Sequence, residues 1–172
     1  MRQNDDAHPT GSAVTDIGAG LERTARGTYV LLLRLPQNNA IVIGKRGRQE
    51  FPSGYYAYAG SALGPGGLAG RLRHHLRPSS RPHWHIDHLR RLAAVVAIWY
   101  AAVPRRQEHD WAALLRRLPG ASIPLAGFGA SDCTCASHLF YYPQPPSLRL
   151  FQALLADRFP EPVPLRAVAV RT

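Results

Sequence analysis

The spacing of apolar residues divides this chain into short segments of two rhythms, one of strands and one of helices. GTYVLLLRL, from Gly27 to Leu35, is β-branched and aliphatic with a single charge, which predicts a central strand. NNAIVIGKRG follows PQ at a turn and reads as a second strand, and GYYAYAGSA, after FPSG, as a third. Three successive strands with short connections predict an antiparallel meander. LAGRLRHHLR has a helical pattern closed by Pro78. A second helix is expected from Pro82, a residue suited to a first helical turn, across HWHIDHLRRLAA. VVAIWYAAV is too β-branched and aromatic to be anything but a buried strand. Trp111, Leu114, Leu115 and Leu118 then fall at i, i+3, i+4 and i+7, the mark of an amphipathic helix. GASIPLAGFGASDCTCAS reads as a long loop and HLFYY as a short strand. SLRLFQALLADRF closes the pattern as a helix with Leu148, Phe151, Leu155 and Phe159 on one stripe.

The order βββααβαβα predicts an α+β protein with helices flanking a mainly antiparallel central sheet. Residues 1–25 mix small and polar types without periodicity and are expected to be a mobile tail. Residues 26–160 are expected to form a single domain and 161–172 a C-terminal tail; no internal repeat or coiled coil is visible. A chain of 172 residues, 45% of them apolar, can bury a sound core.

Charge changes the picture more than composition does. The formal net charge is +10, and Lys45 is the only lysine, so the excess comes almost wholly from arginine. The planar guanidinium suits phosphate, which favours a polyanionic partner over an acidic protein. No apolar run reaches the roughly 18 residues of a membrane span, and the N-terminus lacks the hydrophobic centre of a signal peptide, so a soluble cytoplasmic protein is expected. Cys133 and Cys135 stand one residue apart, a spacing that rarely makes a disulfide.

The chemistry concentrates in YYAYAGSALGPGGLAGRLRHHL. Alternation puts Tyr56 and Tyr58 on one strand face and Tyr55 on the other. Gly60 leaves room near the strand's end for a ligand or another backbone. Arg71 and His75, four apart, share a helix face, with His74 beside them. A phosphodiester there would meet a phenol, an arginine and an imidazole. Singly, each of these residues reads more readily as packing, turn or solvated surface.

Together they resemble the GIY-YIG nuclease superfamily. GTYVLLL stands where that superfamily has its first motif, and Tyr58-Ala59-Gly60 where it has its second. Leu68, Arg71 and His75 match its helix after the second motif, displaced by extra glycine-rich residues. Glu108, in RRQEHDWAALL, matches its metal-holding acidic residue at a helix start. The chain is more similar still to one branch of unknown function, sometimes joined to an endonuclease III-type repair domain. Its hallmarks look like GTYVL, FPSGYYAYAGSA, HWHIDHL and GFGASDCTCASHLFY as they stand here. The resemblance covers about residues 27–142. It departs from the superfamily in Thr28 and Ala59, which replace isoleucines, in His109 after the acidic residue, and in the wider separation of Tyr29 and Tyr58.

The resemblance implies a GIY-YIG-like core with an extra strand between the two name motifs. It implies a metal-dependent endonuclease that hydrolyses phosphodiester bonds in DNA, or RNA, in repair or in processing branched DNA, in association with DNA repair proteins. Glu108 would hold Mg²⁺ or Mn²⁺, and Arg71 would bind the scissile phosphate. Tyr29, with Tyr58 and His75 as alternatives, would take the proton from water. Gly60, Ser61, Arg73 and His74 are expected against the substrate. A tyrosine base needs its pKa, ordinarily near 10, lowered by the metal or the arginine.

Two further groups stay open. In HWHIDHL a metal would require several ligands to converge, against an edge helix whose Trp84 and Leu89 or His88 pack on the sheet. Cys133, Cys135 and His138 could hold Zn²⁺ with a fourth ligand such as His83 or His85. The irregular Cys-x-Cys spacing favours simple loop packing, with Asp132 as a cap. Two other classes compete with an enzyme: a non-catalytic nucleic-acid-binding module on the same scaffold, and a small metal-stabilised interaction domain.

Overall fold

The computed structural model describes residues 24–77 and 81–170. Residues 1–23 of the expected N-terminal tail lie outside them. Among the described residues there are seven strands, β1 (Gly27–Leu35), β2 (Asn39–Val42), β3 (Arg48–Phe51), β4 (Gly54–Ala62), β5 (Ala94–Ala101), β6 (Leu139–Tyr142) and β7 (Arg166–Ala169), and four α-helices. The helices are α1 (Gly67–Leu76), α2 (His85–Leu89), α3 (Glu108–Arg117) and α4 (Leu148–Arg158). Five strands make an antiparallel sheet in the order β6-β4-β1-β5-β7, and β2 and β3 pair only with each other.

Burial on both faces makes β1 the centre. Tyr29, Leu31, Leu33 and Leu35 enter one apolar cluster with Leu68 and Leu72 of α1 and Ile86 and Leu89 of α2. Val30 and Leu32 enter the other, with Trp111, Leu114 and Leu115 of α3 and Phe151 and Leu155 of α4. The sheet thus lies between two helical layers, the α+β architecture expected of the sequence. Among the described residues no helix is long and apolar enough to cross a membrane.

Four local expectations are corrected. The first three strands do not form a meander: β1 pairs directly with β4 from Gly27 opposite Ala62 to Leu35 opposite Gly54. The expected second strand ends early, in a short 3-10 turn at Gly44–Arg46, and returns as β3. The resulting hairpin sends Ile41, Ile43 and Phe51 into the core from outside the main sheet. The helix expected over HWHIDHLRRLAA is only α2, because its chain closes in a turn, with Leu89 O accepting from Leu92 N and Ala93 N, and β5 begins at Ala94. The expected C-terminal tail contains β7, whose Val168 pairs with Ile98 at the edge of the sheet.

Candidate functional site

The floor of the site is built where β1 and β4 pair. Their register puts Tyr29 opposite Gly60, and the Tyr29 ring fills the space that a side chain at Gly60 would take. A Cβ there would lie 2.5 Å from Tyr29 Cζ. The room expected beside Gly60 is therefore occupied from within the sheet. Seated this way, Tyr29 Oη is 2.8 Å from His75 Nε2 of α1, both residues being buried. Tyr58 shares this face and meets Phe128 edge-on.

Burial sets the protonation of the floor. It pushes Tyr29 well above its ordinary value of 10, with the Tyr58 phenol adding to the rise and the Arg71 guanidinium opposing it. It pushes Tyr58 up to about 12, again against Arg71. It lowers His75 to about 3, aided by the Arg90 charge. Tyr29 and His75 are thus a neutral pair at neutral pH, and burial raises the tyrosine where a base would need it lowered.

The seat on Gly60 gives a direct test. Gly60→Ala forces the Tyr29 ring off His75 and is expected to destabilise the fold by about 1–3 kcal/mol, the cost of overpacking a close-packed site. Urea unfolding measures it, and a midpoint equal to that of the parent chain would show that the ring is not held there.

One wall is α1 braced by α2. The Arg71 guanidinium stacks 4.2 Å from the centre of the Trp84 ring, an arrangement that fixes a planar cation without neutralising it. Asp87 holds the brace together. Its Oδ2 accepts from the backbone N–H groups of His83 and Trp84, each at 3.0 Å, and its Oδ1 lies 3.1 Å from His74 Nε2 and 4.0 Å from Arg90 Nη1. Burial alone would raise the Asp87 carboxyl, but the Trp84 and His83 N–H groups and the His74 ring outweigh it and hold it below the usual range. Ligand atoms of His74, His75 and Asp87 do lie close enough for a metal, yet these contacts already engage both carboxylate oxygens. HWHIDHL acts here as a structural clamp, and Trp84, packed against the core, also carries Arg71 and meets the α1 histidines.

The opposite wall begins at α3. Glu108, its first residue, is 4% exposed, with Oε1 at 3.1 Å from Arg106 Nη1 and 3.6 Å from His109 Nε2. Its Oε2 is buried without a partner. Beside it, residues 125–138 form a loop in which Gly129, at φ +70°, passes against Tyr58 and His138, too close for a side chain to fit unchanged. Burial and the Cys133 thiol next to it push the Cys135 thiol up to about 11.

These walls enclose a cleft of about 360 Å³. Tyr29, Tyr58, Arg71, His75 and Glu108 all line it, as do Gly60, Ser61, His83, His85 and His138. Arg73 is exposed and does not line it, and His74 is turned to Asp87. His83 and His85 do not approach the cysteines: the His83 N–H bonds to Asp87, and His85 Nδ1 accepts from Gly129 N. The imidazole that meets Cys133 and Cys135 beside His138 is that of His109. Trp84 and Asp132, expected only as packing and as a cap, also line the cleft, as does Arg106, which had no distinct signal in the sequence. His109 had one, its place directly after Glu108.

The model of a family described as a domain of unknown function, DUF123, matches residues 28–158. No curated protein and no solved structure matches the chain.

Proposed function

Since this chain belongs to the DUF123 family, whose description assigns no activity, its function has to come from the cleft, and we propose a metal-dependent endonuclease acting on DNA. The observation that carries the reading is the convergence of Arg71, the Tyr29–His75 pair and Glu108 on one cleft from three separate elements. The resemblance of the tyrosine strands and the Arg/His helix to the GIY-YIG superfamily supports it, as does the arginine-borne charge of +10. Cutting of branched or damaged DNA in repair, alongside repair proteins, is the setting that the resemblance implies.

Glu108 fits a hard divalent cation, because its buried Oε2 has no other partner. A Mg²⁺ or Mn²⁺ ion held by Glu108 would supply Lewis acidity toward water and the phosphate oxygens. The residues do the rest. Arg71, steadied by Trp84, presents its fork to the scissile phosphate and opposes the charge that builds in the transition state. Tyr29 accepts the proton of the attacking water and passes its own along the 2.8 Å bond to His75 Nε2. Burial opposes that transfer, since it leaves charge on a deeply buried imidazole.

The same neutral pair favours a second reading, a nucleic-acid-binding module that keeps the scaffold without catalysis. One experiment separates the two. The full chain is incubated with duplex, flap, branched and single-stranded DNA and with RNA, in Mg²⁺ and in Mn²⁺, beside Arg71→Ala. Metal-dependent cutting that Arg71→Ala slows by about 10²-fold supports the nuclease and names its substrate shape. Salt-sensitive binding with no cutting of any substrate leaves the binding module.

A further inference from the structure

We propose that His109, Cys133, Cys135 and His138 form a zinc site that ties the 125–138 loop to the first turn of α3. One ligand atom from each residue lies within 4.8 Å of the other three. His109 directs Nδ1 to Cys135 Sγ at 3.1 Å, and His138 directs Nε2 to Cys133 Sγ at 3.4 Å. A tetrahedral zinc with sulfur at about 2.3 Å and nitrogen at about 2.0–2.1 Å has ligand-to-ligand edges of roughly 3.3–3.8 Å. The two nitrogen–sulfur distances lie close to those edges, and the other pairs fall within 4.8 Å.

The donor set chooses the metal. Two thiolates and two imidazoles suit zinc, whereas Mg²⁺ and Mn²⁺ prefer oxygen. The Cys-x-Cys spacing is irregular for zinc, but residues 133–135 lie outside any helix or strand, and two side chains one residue apart can turn to the same side there. The remaining ligands come from firm supports. His109 is the second residue of α3, and His138 is anchored through its backbone, with His138 N donating to Phe128 O and His138 O accepting from Ala59 N of β4.

A second observation points the same way. The other ring nitrogen of His109, Nε2, faces Glu108 Oε1 at 3.6 Å. A carboxylate behind an imidazole is the common arrangement that orients a metal-bound histidine. The zinc would fix the one long stretch of loop that lines the cleft, where Gly129, Ser131 and Asp132 stand. It closes its four positions with protein ligands and so serves structure, not chemistry. It therefore stands whether or not the chain cuts nucleic acid.

The test is elemental analysis of the full-length chain, purified by gel filtration in a buffer containing a weak chelator. A single zinc per chain is expected, lost in Cys135→Ser and in His109→Gln. Because either variant can also lose its fold, the unaltered chain is stripped and titrated with Co²⁺. Intense visible absorption of tetrahedral cobalt with near-ultraviolet thiolate charge-transfer bands is expected. A zinc-free chain whose Co²⁺ spectrum is weak and lacks thiolate bands overturns the proposal, and so does zinc retained at full stoichiometry by folded Cys135→Ser and His109→Gln.

Discussion

Glu108→Gln is expected to lower metal-dependent cleavage by about 10³-fold, the loss that follows when one preorganised electrostatic contact to a reacting phosphate is removed. The substitution keeps the side chain's shape and removes only its charge. In the parent chain Oε1 meets Arg106 and, at longer range, His109, while Oε2 is buried and free of partners. A neutral amide can still fill the site but has lost the charge that attracts a hard cation. Single-turnover cleavage measured across a range of Mn²⁺ concentrations checks this, with nucleic-acid affinity followed in parallel by fluorescence anisotropy. The expected pattern is a collapse of cleavage with binding retained, and partial recovery at high Mn²⁺. A rate equal to that of the parent chain would remove Glu108 from the machinery, and with it the metal half of the proposed site.

The largest effect on stability is expected at Asp87 and not at any cleft residue. Asp87→Ala leaves Arg90, whose side chain is 7% exposed, without its carboxylate. It also strips the His83 and Trp84 N–H groups and the His74 ring of their acceptor. Breaking a buried ion pair by removing one partner costs about 3–5 kcal/mol, so chemical denaturation should show a loss of that order. Asp87→Asn keeps one acceptor oxygen and should lose less. Acid should reproduce part of the effect. The folded carboxyl titrates below its unfolded counterpart, so the unfolded chain binds the proton first, and the contribution of Asp87 is complete only above the ordinary carboxylate range near 4. It disappears as pH falls through the lowered folded value. A stability profile of Asp87→Asn as steep below pH 4 as that of the parent chain would contradict this assignment.

How much of this was legible in the sequence depended on how local the cause was. β1, β4, β5 and α3 follow from runs whose apolar character or period is complete within the run, and each lies close to its expected place. The topology between them did not follow. Ile41, Ile43 and Phe51 look like members of successive sheet strands, but whether a strand joins the sheet or folds onto its own neighbour is decided by distant partners. β7 escaped for the same reason, since RAVA gains its meaning only beside β5. In the site, Tyr29, Tyr58, Arg71, His75 and Glu108 were named from motif order and line one cleft. The contacts that hold them were not legible. Asp87 had no assigned contact in the sequence and proved to be the acceptor that caps α2 and ties it to α1. Trp84 looked like packing alone and also carries a guanidinium. His109 looked like a mere neighbour of Glu108, and a loop more than twenty residues away brings the cysteines to it.

The position of Tyr29 divides the labour of the cleft. Its backbone lies in the one strand bonded on both edges along nearly its whole length, opposite Gly60 on one side and Tyr100 on the other. No hinge is available there, because shifting the phenol would mean slipping a ladder whose every second side chain is pinned in one of two cores. Arg71 sits on a helix entered through glycines, and Asp132 on a loop outside regular structure. A bulky ligand would thus find a fixed anvil in the sheet, with Arg71 and Asp132 presented to it from the helix and the loop on either side.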